Sequence, residues 1–218
     1  IAKEDEAHIL LDLIEHFRVD YLQSFSWGGV AAILALSQRP ARIEKAVITS
    51  FSPLLNEPML DYLEKGLTYL DAVDGFNLGH LVNNTIGKHL PSLFKRFNHR
   101  HISSLDEHEY RQMFAHVNQV VHMESHCKME CLTGIKIPVL FVNGEHDEYT
   151  SPEDVRLLTK YLGDCRFATI DNAGHFLDME HKSAWLQTRD ALLGFLQGAP
   201  QRERVYRPYP ELQHAMAV

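Results

Sequence analysis

The stretch that decides the fold is residues 19–37, which read VDYLQSFSWGGVAAILALS. Its first part, residues 19–25, is typical of a short strand, and its last part, residues 30–37, is typical of an apolar helix that ends before Pro40. Ser26 stands at the junction between the two. A sharp turn from a strand into a helix projects a nucleophilic side chain out of a sheet. The stretch therefore predicts a strand–turn–helix unit that carries a candidate nucleophile.

The residues around Ser26 form the pattern S-x-S-x-G, a variant of the G-x-S-x-G nucleophile elbow. Small residues are needed two positions before and two positions after the nucleophile, because the turn brings the strand and helix backbones close together. Gly28 meets this need, and Ser24 occupies the position where glycine is commoner. The backbone N–H of Trp27, at the start of the helix, is placed to stabilise an oxyanion.

A serine needs a base and an orienting acid to act as a nucleophile. Two loops downstream supply them in the order that follows an elbow of this kind. Asp147 comes just after an apolar strand at residues 138–144, and His175 comes just after a weaker strand at residues 166–170. Each residue alone is explained as a turn aspartate or a loop histidine, but the order and the strand ends favour a triad of Ser26, Asp147 and His175. The neighbouring acids that compete for the orienting role are Glu145, Glu148 and Asp178.

Strands and helices alternate outside the middle of the chain, which predicts an α/β protein with a parallel sheet. A further strand is expected at residues 45–51, and helices are expected at residues 10–17, 151–162 and 182–197. The middle carries no convincing strand and has helical patterns at residues 58–73, 76–90 and 107–132. We predict an α/β core formed by residues 1–52 and 135–200, an inserted helical cap at residues 53–134, and a C-terminal tail at residues 201–218.

Composition narrows the function classes. The chain has 218 residues, of which 45% are hydrophobic, and a net charge of −8, so it is globular and a poor binder of nucleic acid phosphates. No apolar run reaches the roughly 18 residues needed to span a bilayer. Three cysteines without a CxxC spacing favour a reducing compartment, so we expect a cytoplasmic protein.

A second chemical pattern lies in the middle of the chain. His101 and Asp106 match the His-x-x-x-x-Asp box of glycerolipid acyltransferases, in which the histidine acts as a base. The alternative is structural: Ser103 or Ser104 caps a helix that begins near Asp106 and has acidic residues in its first turn.

Among the candidate functional sites, a metal site is the least favoured. His122 and His126, like Cys127 and Cys131, are spaced four residues apart. Such spacing holds zinc only with further ligands, and the glutamate is misplaced for a His-Glu-x-x-His site. We therefore expect no metal.

A basic segment also interrupts the acidic chain. No acidic residue occurs between Asp74 and Asp106, whereas four lysines and arginines do: Lys88, Lys95, Arg96 and Arg100. This segment is either a solvated helix face or a docking surface for an anionic partner, such as an acidic carrier protein or a nucleotide phosphate.

Five runs carry a resemblance that extends over nearly the whole chain. They are residues 24–29 (SFSWGG), 50–53 (SFSP), 86–98 (IGKHLPSLFKRFN), 143–150 (NGEHDEYT) and 173–180 (AGHFLDME). In these runs the chain resembles the (R)-3-hydroxyacyl-ACP:CoA transacylases of polyhydroxyalkanoate synthesis, which are α/β-hydrolase-fold enzymes. It also resembles their relatives that join two hydroxyacyl chains for rhamnolipids.

The resemblance implies an α/β-hydrolase fold with an inserted helical cap, a nucleophile at Ser26, and Asp147 and His175 as its partners. It places the His-x-x-x-x-Asp box of the family at His101 and Asp106. It also implies strands and a second oxyanion donor upstream of Ile1, so we expect this sequence to be partial, with the N-terminal strands missing.

The implied activity is transfer of a medium-chain (R)-3-hydroxyacyl group from acyl carrier protein to coenzyme A, through an acyl-serine and with no permanently bound cofactor. A thioesterase, a synthase of 3-(3-hydroxyalkanoyloxy)alkanoate and a hydrolase-fold protein that only binds remain as alternatives. Apolar cap residues are expected to line an acyl tunnel or to form plain core: Leu60, Leu63, Leu67, Phe76, Leu78, Leu93 and Phe94.

Overall fold

The computed structural model describes residues 2–122 and 132–198. Within them, a parallel sheet of four strands has the order β1–β2–β3–β4. The strands are β1 (Tyr21–Phe25), β2 (Lys45–Thr49), β3 (Val139–Gly144) and β4 (Cys165–Ile170). Since all neighbours are parallel, the carboxyl ends of the four strands share one edge of the sheet. The predicted parallel α/β architecture is confirmed.

The two central strands are buried because helices cover both faces of the sheet. Side chains alternate along them as a strand requires: Ile48 and Phe141 enter one apolar cluster, whereas Val47 and Leu140 enter another on the opposite face. β3 is buried along its whole length, while the outer strand β1 alternates between exposed and half-buried positions. This two-sided burial explains why residues 138–144 form an almost uninterrupted apolar run.

Among the described residues, five helices belong to the layers around the sheet. They are α1 (Lys3–Phe17), α2 (Gly28–Ser37), α7 (Pro152–Arg156), α8 (Leu177–Glu180) and α9 (Lys182–Leu196). The helix expected at residues 151–162 is shorter: α7 is followed by a 3-10 turn at Leu157–Lys160. Its predicted start is confirmed, because Ser151 Oγ accepts a hydrogen bond from the Asp154 N–H at 3.1 Å. The short helix α8 was not predicted.

Four helices lie in the described part of the segment between β2 and β3, and we call them the cap helices. They are α3 (Glu57–Asp71), α4 (Gly75–Asn84), α5 (Ser92–Ser103) and α6 (Glu107–His122). They enclose their own apolar cluster, which includes Leu63, Leu78 and Val117. The proposed cap boundaries at residues 53–134 stay a prediction. Part of the helix expected at residues 107–132, and the expected tail at 201–218, lie outside the described residues.

The sequence patterns missed α5. The helix expected at residues 76–90 ends at Asn84, and a separate helix starts after Pro91. In α5 only Ile102 is buried, while Leu93, Phe94 and Phe97 are exposed. Its apolar residues therefore do not mark the face that packs against the rest of the protein, which is why hydrophobic periodicity did not reveal it.

No helix in residues 2–122 and 132–198 is both long enough and apolar enough to cross a membrane.

The start of α2 is packed tightly against the residue that follows β2. A Cβ atom on Gly29 would lie 2.5 Å from Cδ2 of the Phe51 ring, and that ring is buried. We expect Gly29→Ala to lower the free energy of unfolding by about 1–3 kcal/mol, because the ring must move within a packed core. Urea denaturation measures the change.

Gly194→Ala is the matched control, since a Cβ at this position within α9 meets no atom within 4 Å. We expect it to raise the free energy of unfolding by up to about 1 kcal/mol, because alanine favours a helix over glycine. Equal stabilisation by both substitutions would contradict the proposed contact with Phe51.

Candidate active site

Ser26 occupies a strained turn directly after β1. Its backbone has φ of 50°, the left-handed region that non-glycine residues rarely adopt. Two hydrogen bonds hold the turn: the Ser26 N–H donates to the Thr49 carbonyl oxygen at 2.8 Å, and the Gly29 N–H donates to the Ser26 carbonyl oxygen at 2.8 Å. Strain of this kind costs about 1–3 kcal/mol and persists where the surroundings enforce it. The turn has the geometry of a nucleophile elbow.

The flanking small residues meet across this turn. A Cβ atom on Gly28 would lie 3.8 Å from the Cβ of Ser24, which is ordinary van der Waals contact. Ser24 thus fits the first small position of the motif. The tightest approach is one residue further on, between Gly29 and the Phe51 ring, which the sequence analysis did not identify.

Three side chains from distant parts of the sequence form one hydrogen-bonded line. Ser26 Oγ lies 2.9 Å from His175 Nε2, and His175 Nδ1 lies 2.8 Å from Asp147 Oδ2. His175 and Asp147 are each 3% exposed, whereas Ser26 is half-buried. Because an ionised Asp147 can only accept, His175 Nδ1 donates to it and Nε2 is left to accept from the serine hydroxyl. The structure brings together all three residues that the sequence singled out.

Asp147 is held as a carboxylate by its own loop. Its Oδ1 accepts hydrogen bonds from the N–H groups of Tyr149 and Thr150, and its Oδ2 accepts one from the Thr150 hydroxyl at 2.5 Å. Burial by itself raises the pKa of the Asp147 carboxyl, but the charge and hydrogen bond of His175 and the bonds from Thr150 outweigh it and hold the pKa below its usual range. Asn143 in turn fixes this loop, since its Nδ2 donates to the Thr150 carbonyl oxygen at 2.8 Å.

The competing acids are engaged elsewhere or exposed. Glu145 Oε2 accepts a hydrogen bond from the Asn172 N–H at 2.8 Å, and Glu148 forms an ion pair with Lys88 at 2.8 Å. Asp178 is exposed on α8. Asp147 is therefore the acid that contacts His175.

Two buried groups clamp the backbone around His175. Glu180 is 5% exposed, and its carboxylate accepts hydrogen bonds from the N–H groups on either side of the histidine, Gly174 at 2.7 Å and Phe176 at 3.0 Å. Ser50 Oγ donates to the His175 carbonyl oxygen at 2.6 Å. Neither positioning residue was predicted from the sequence. The available signal was an acid five residues after the histidine, at the end of the 173–180 run.

Trp27 stands at the beginning of α2, where the first N–H groups of a helix have no acceptor within the helix. Its backbone N–H therefore remains the candidate oxyanion donor next to Ser26. Its indole ring is stacked on the imidazole of His116 from α6, with centroids 4.8 Å apart. A cap helix thus contacts the nucleophile turn directly.

His116 also contacts a buried lysine, a feature that was not anticipated from the sequence. Lys3 is 1% exposed, and its Nζ lies 2.8 Å from Glu6 Oε2 and 2.9 Å from His116 Nδ1. Burial lowers the pKa of His116, and the Lys3 charge lowers it further, while Glu6 opposes both only in part. A neutral imidazole at this position accepts a hydrogen bond from the buried ammonium group.

The His-x-x-x-x-Asp box is not assembled. His101 is exposed near the end of α5, and Asp106 is the N-cap of α6, where its Oδ1 accepts a hydrogen bond from the Glu109 N–H at 2.8 Å. Within the described residues, no hydrogen bond or ion pair joins the two side chains. The expectation that Ser103 or Ser104 caps α6 was wrong, because Ser104 Oγ donates backwards to the His101 carbonyl oxygen and Asp106 itself provides the cap.

The four basic residues divide into two pairs. Lys88 is paired with Glu148, and Lys95 Nζ donates to the Lys88 carbonyl oxygen at 2.7 Å. Arg96 and Arg100 are exposed on α5 and make no ion pair within the described residues.

For the described residues, no group of three potential ligands is arranged to hold a metal ion. His122 lies at the end of α6, with Nδ1 2.8 Å from the Asn118 carbonyl oxygen. His126, Cys127 and Cys131 lie outside the described residues.

A cleft of about 420 Å³, counting its open mouth, runs from Ser26 beneath the cap helices. Its walls are mainly apolar and come from the turn after β2 and from α3 and α6: Phe51, Leu55, Met59, Leu63 and Val120. Of the residues expected in an acyl tunnel, Leu63 lies along this cleft. Phe76, Leu93 and Phe94 are instead exposed, and Leu78 is buried in the cap cluster.

Comparison with known proteins identifies both a fold family and close relatives. The α/β-hydrolase fold family matches residues 9–182. A protein of Pseudomonas putida named (R)-3-hydroxydecanoyl-ACP:CoA transacylase is 55% identical over an alignment of 219 positions, which covers 100% of this chain and 74% of the relative. A protein of the same name from Pseudomonas aeruginosa is 56% identical over 214 residues, 96% of this chain and 71% of the relative.

Solved structures agree on the fold. An α/β hydrolase from a Medee basin deep-sea metagenome, MGS-M2, has a TM-score of 0.70 at 18% identity, covering 92% of this chain and 73% of its own. The enol-lactonase of Burkholderia xenovorans has a TM-score of 0.69 at 16% identity, covering 90% and 74%.

The Glu180 clamp predicts a loss of alignment when one of its oxygens is replaced. Glu180→Gln leaves a single acceptor for two N–H groups, so we expect the free energy of unfolding to fall by about 1–3 kcal/mol. We also expect a fluorophosphonate reagent to label Ser26 about tenfold to 100-fold more slowly, because the imidazole is misplaced. Asp178→Asn makes the same chemical change at an exposed position of α8 and leaves both quantities near the parental values. Equal labelling rates in the two variants would refute the clamp.

The His116 site predicts a pH dependence of stability. Because its pKa is lowered in the folded protein, the unfolded chain binds a proton there more readily. Unfolding therefore takes up a proton below about pH 6.5, the ordinary histidine pKa, and the free energy of unfolding falls as the pH drops from that value towards the folded pKa. We expect His116→Gln to reduce this slope in urea denaturation at several pH values. His122→Gln, an exposed position on the same helix, controls for loss of a histidine. A slope unchanged by His116→Gln would contradict the assignment.

Proposed function

The chain belongs to the α/β-hydrolase family and, within it, to the (R)-3-hydroxydecanoyl-ACP:CoA transacylases, and from this we propose that it moves a medium-chain (R)-3-hydroxyacyl group from acyl carrier protein to coenzyme A. The observation that carries the proposal is the hydrogen-bonded line from Ser26 through His175 to Asp147 at the carboxyl edge of the sheet. Such a line activates a serine for acyl transfer.

The first half of the reaction forms an acyl-enzyme. His175 Nε2 removes the proton of Ser26 Oγ while that oxygen attacks the thioester carbon of the hydroxyacyl carrier protein. Asp147 holds the imidazole in the required tautomer and stabilises the charge that it acquires. The tetrahedral intermediate then expels the pantetheine thiol, which receives the proton from His175, and the acyl group remains on Ser26.

Charge that develops on the carbonyl oxygen needs donors that are already in place. The Trp27 N–H is one such donor, since it stands at the positive end of the α2 dipole beside Ser26. Its orientation is supported by the short turn between β1 and α2 and by the stacking of the indole ring on His116.

The second half of the reaction repeats the proton transfers with a different thiol. His175 takes the proton of the coenzyme A thiol, the sulfur attacks the acyl-serine carbon, and the proton returns to Ser26 as the new thioester leaves. Coenzyme A thus acts as the acceptor substrate and not as a bound cofactor.

The cleft suits the acyl chain. Leu55, Met59, Leu63 and Val120 provide an apolar wall that begins at Ser26, and a second apolar cleft shares Val30 and Phe51 with it. When the acyl chain is buried there, its thioester lies at the open end of the cleft. The cap helices also keep water from the acyl-serine, which favours transfer over hydrolysis.

We further propose a cytoplasmic location, because the few cysteines lack CxxC spacing and suit a reducing compartment.

Ser26→Ala tests the mechanism. We expect kcat with 3-hydroxydecanoyl-ACP and coenzyme A to fall about a thousandfold or more, because removing the nucleophile of a triad abolishes the covalent route. Ser24→Ala is the matched control: it removes a neighbouring hydroxyl that is buried without a hydrogen-bond partner, and kcat should stay close to the parental value. Retained activity in Ser26→Ala would refute the acyl-serine.

The products identify the acceptor. Formation of hydroxydecanoyl-coenzyme A supports transfer, free hydroxydecanoic acid indicates a thioesterase, and a dimeric ester indicates the rhamnolipid-type synthase. Absence of turnover indicates a protein that only binds. Loss of activity in His101→Ala or Asp106→Asn would instead favour the second acyltransferase box.

A further inference from the structure

One face of α5 stays exposed and is not covered by any of residues 2–122 and 132–198. Leu93, Arg96, Phe97 and Arg100 are spaced as i, i+3, i+4 and i+7, so they form a single stripe along the helix. Leu93 is 53% exposed and Phe97 is 58% exposed, and both arginines are exposed. We call these four residues the α5 stripe. Two large apolar side chains interleaved with two cations are a costly surface to leave in water.

The opposite face of α5 is fixed to the neighbouring cap helix. Asn98 Nδ2 donates to Asn83 Oδ1 at 2.9 Å, and Asn83 Nδ2 donates to the Lys95 carbonyl oxygen at 2.8 Å. A Cβ atom on Gly79 would lie 2.8 Å from the ring of His99, so α4 and α5 approach closely. The helix is therefore anchored on one side and presents the α5 stripe outward on the other.

The charge of the α5 stripe is opposite to that of the whole molecule. The chain carries a net charge of −8, yet residues 75–105 contain no acidic side chain. Neither Arg96 nor Arg100 forms an ion pair within the described residues, unlike Lys88, which is paired with Glu148. Two unpaired guanidinium groups are suited to binding carboxylates of a partner.

The anchored face of α5 is linked to the loop that carries His175. Lys95 Nζ donates to the Lys88 carbonyl oxygen, which ties the first turns of α5 to the segment that contains Lys88 and His89. A Cβ atom on Gly174 would lie 2.6 Å from the His89 ring, so this segment contacts the loop that carries His175. Two successive contacts therefore connect α5 to the histidine loop.

We propose that the α5 stripe is the docking surface for the acyl carrier protein, an inference that rests on the proposed function. An acidic helix of the carrier pairs its carboxylates with Arg96 and Arg100 and packs apolar side chains on Leu93 and Phe97. The stripe is about 10 Å long, two turns of helix, which matches one helix of a small partner. The carrier's flexible thioester arm then delivers the acyl group to Ser26.

The test compares two donors that differ only in the carrier. The full-length enzyme is assayed with 3-hydroxydecanoyl-ACP and with 3-hydroxydecanoyl-pantetheine. The variants are Arg96→Glu/Arg100→Glu and Leu93→Ser/Phe97→Ser. We expect the ratio of KM for the carrier-linked donor to KM for the pantetheine donor to rise about tenfold or more in each, because docking contributes only to the first donor. In the parent, added NaCl should raise the same ratio, since exposed charges are screened.

Lys136→Glu/Lys160→Glu is the control for net charge. Both lysines are exposed and precede β3 and β4, so they lie at the amino edge of the sheet, away from the site. The control changes the net charge as much as the double arginine variant does, and it should leave the ratio unchanged. An equal rise in the control, or equal changes in KM for both donors in the stripe variants, overturns the proposal.

Direct binding separates this proposal from the proposed function. Acyl carrier protein is titrated with each enzyme variant, and the dissociation constant is measured without turnover. Weaker binding only in the stripe variants supports docking at α5 even if the acceptor is not coenzyme A. Failure of the parent to use either donor refutes the transacylase assignment alone. Unchanged carrier binding together with loss of binding to anionic lipid vesicles assigns the stripe to a lipid surface and overturns the proposal.

Discussion

The hydrogen bond between the His175 imidazole and the Asp147 carboxylate is the interaction on which the site depends. It joins the loops that follow two neighbouring parallel strands, β3 and β4, and both side chains are almost fully buried. A buried carboxylate and a buried imidazole are each unfavourable alone, so each requires the other. Their pairing fixes the imidazole so that Nε2 faces Ser26. Without it, the hydroxyl on the strained turn has no acceptor in place.

The surrounding groups serve mainly to keep this bond aligned. Asn143 holds Thr150, Thr150 holds Asp147, and Glu180 and Ser50 hold the backbone of His175. Gly144 permits this arrangement, because a Cβ atom there would lie 2.1 Å from the Gly174 carbonyl oxygen. Asn143, Thr150 and Ser50 come from strand ends or from the loops after them, and Glu180 comes from the end of the short helix α8. The rigid sheet edge is therefore what allows Ser26 to keep its left-handed backbone and the buried His175–Asp147 hydrogen bond to persist.

The cap helices have two different relations to the site. On the inside, Met59, Leu63 and Val120 form the wall of the cleft, and His116 contacts the indole of Trp27. On the outside, α5 displays apolar and basic side chains that nothing within the described residues covers. The same inserted segment can thus hold the acyl chain and receive the protein that delivers it, since its helices are anchored to each other independently of the sheet.

The sequence alone determined the features that depend on residues close to one another along the chain. The alternating strands and helices, the turn at Ser26, and the order of Ser26, Asp147 and His175 were all predictable, because hydrophobic periodicity and turn chemistry are local. The sequence left open which acid contacts His175 and whether His101 and Asp106 form a second catalytic site. It did not predict the helix α5 or the role of Glu180. Tertiary structure decided these points. A contact such as that between Ser26 and His175 joins residues 149 positions apart, and only the packing of the parallel strands determines which distant loops meet.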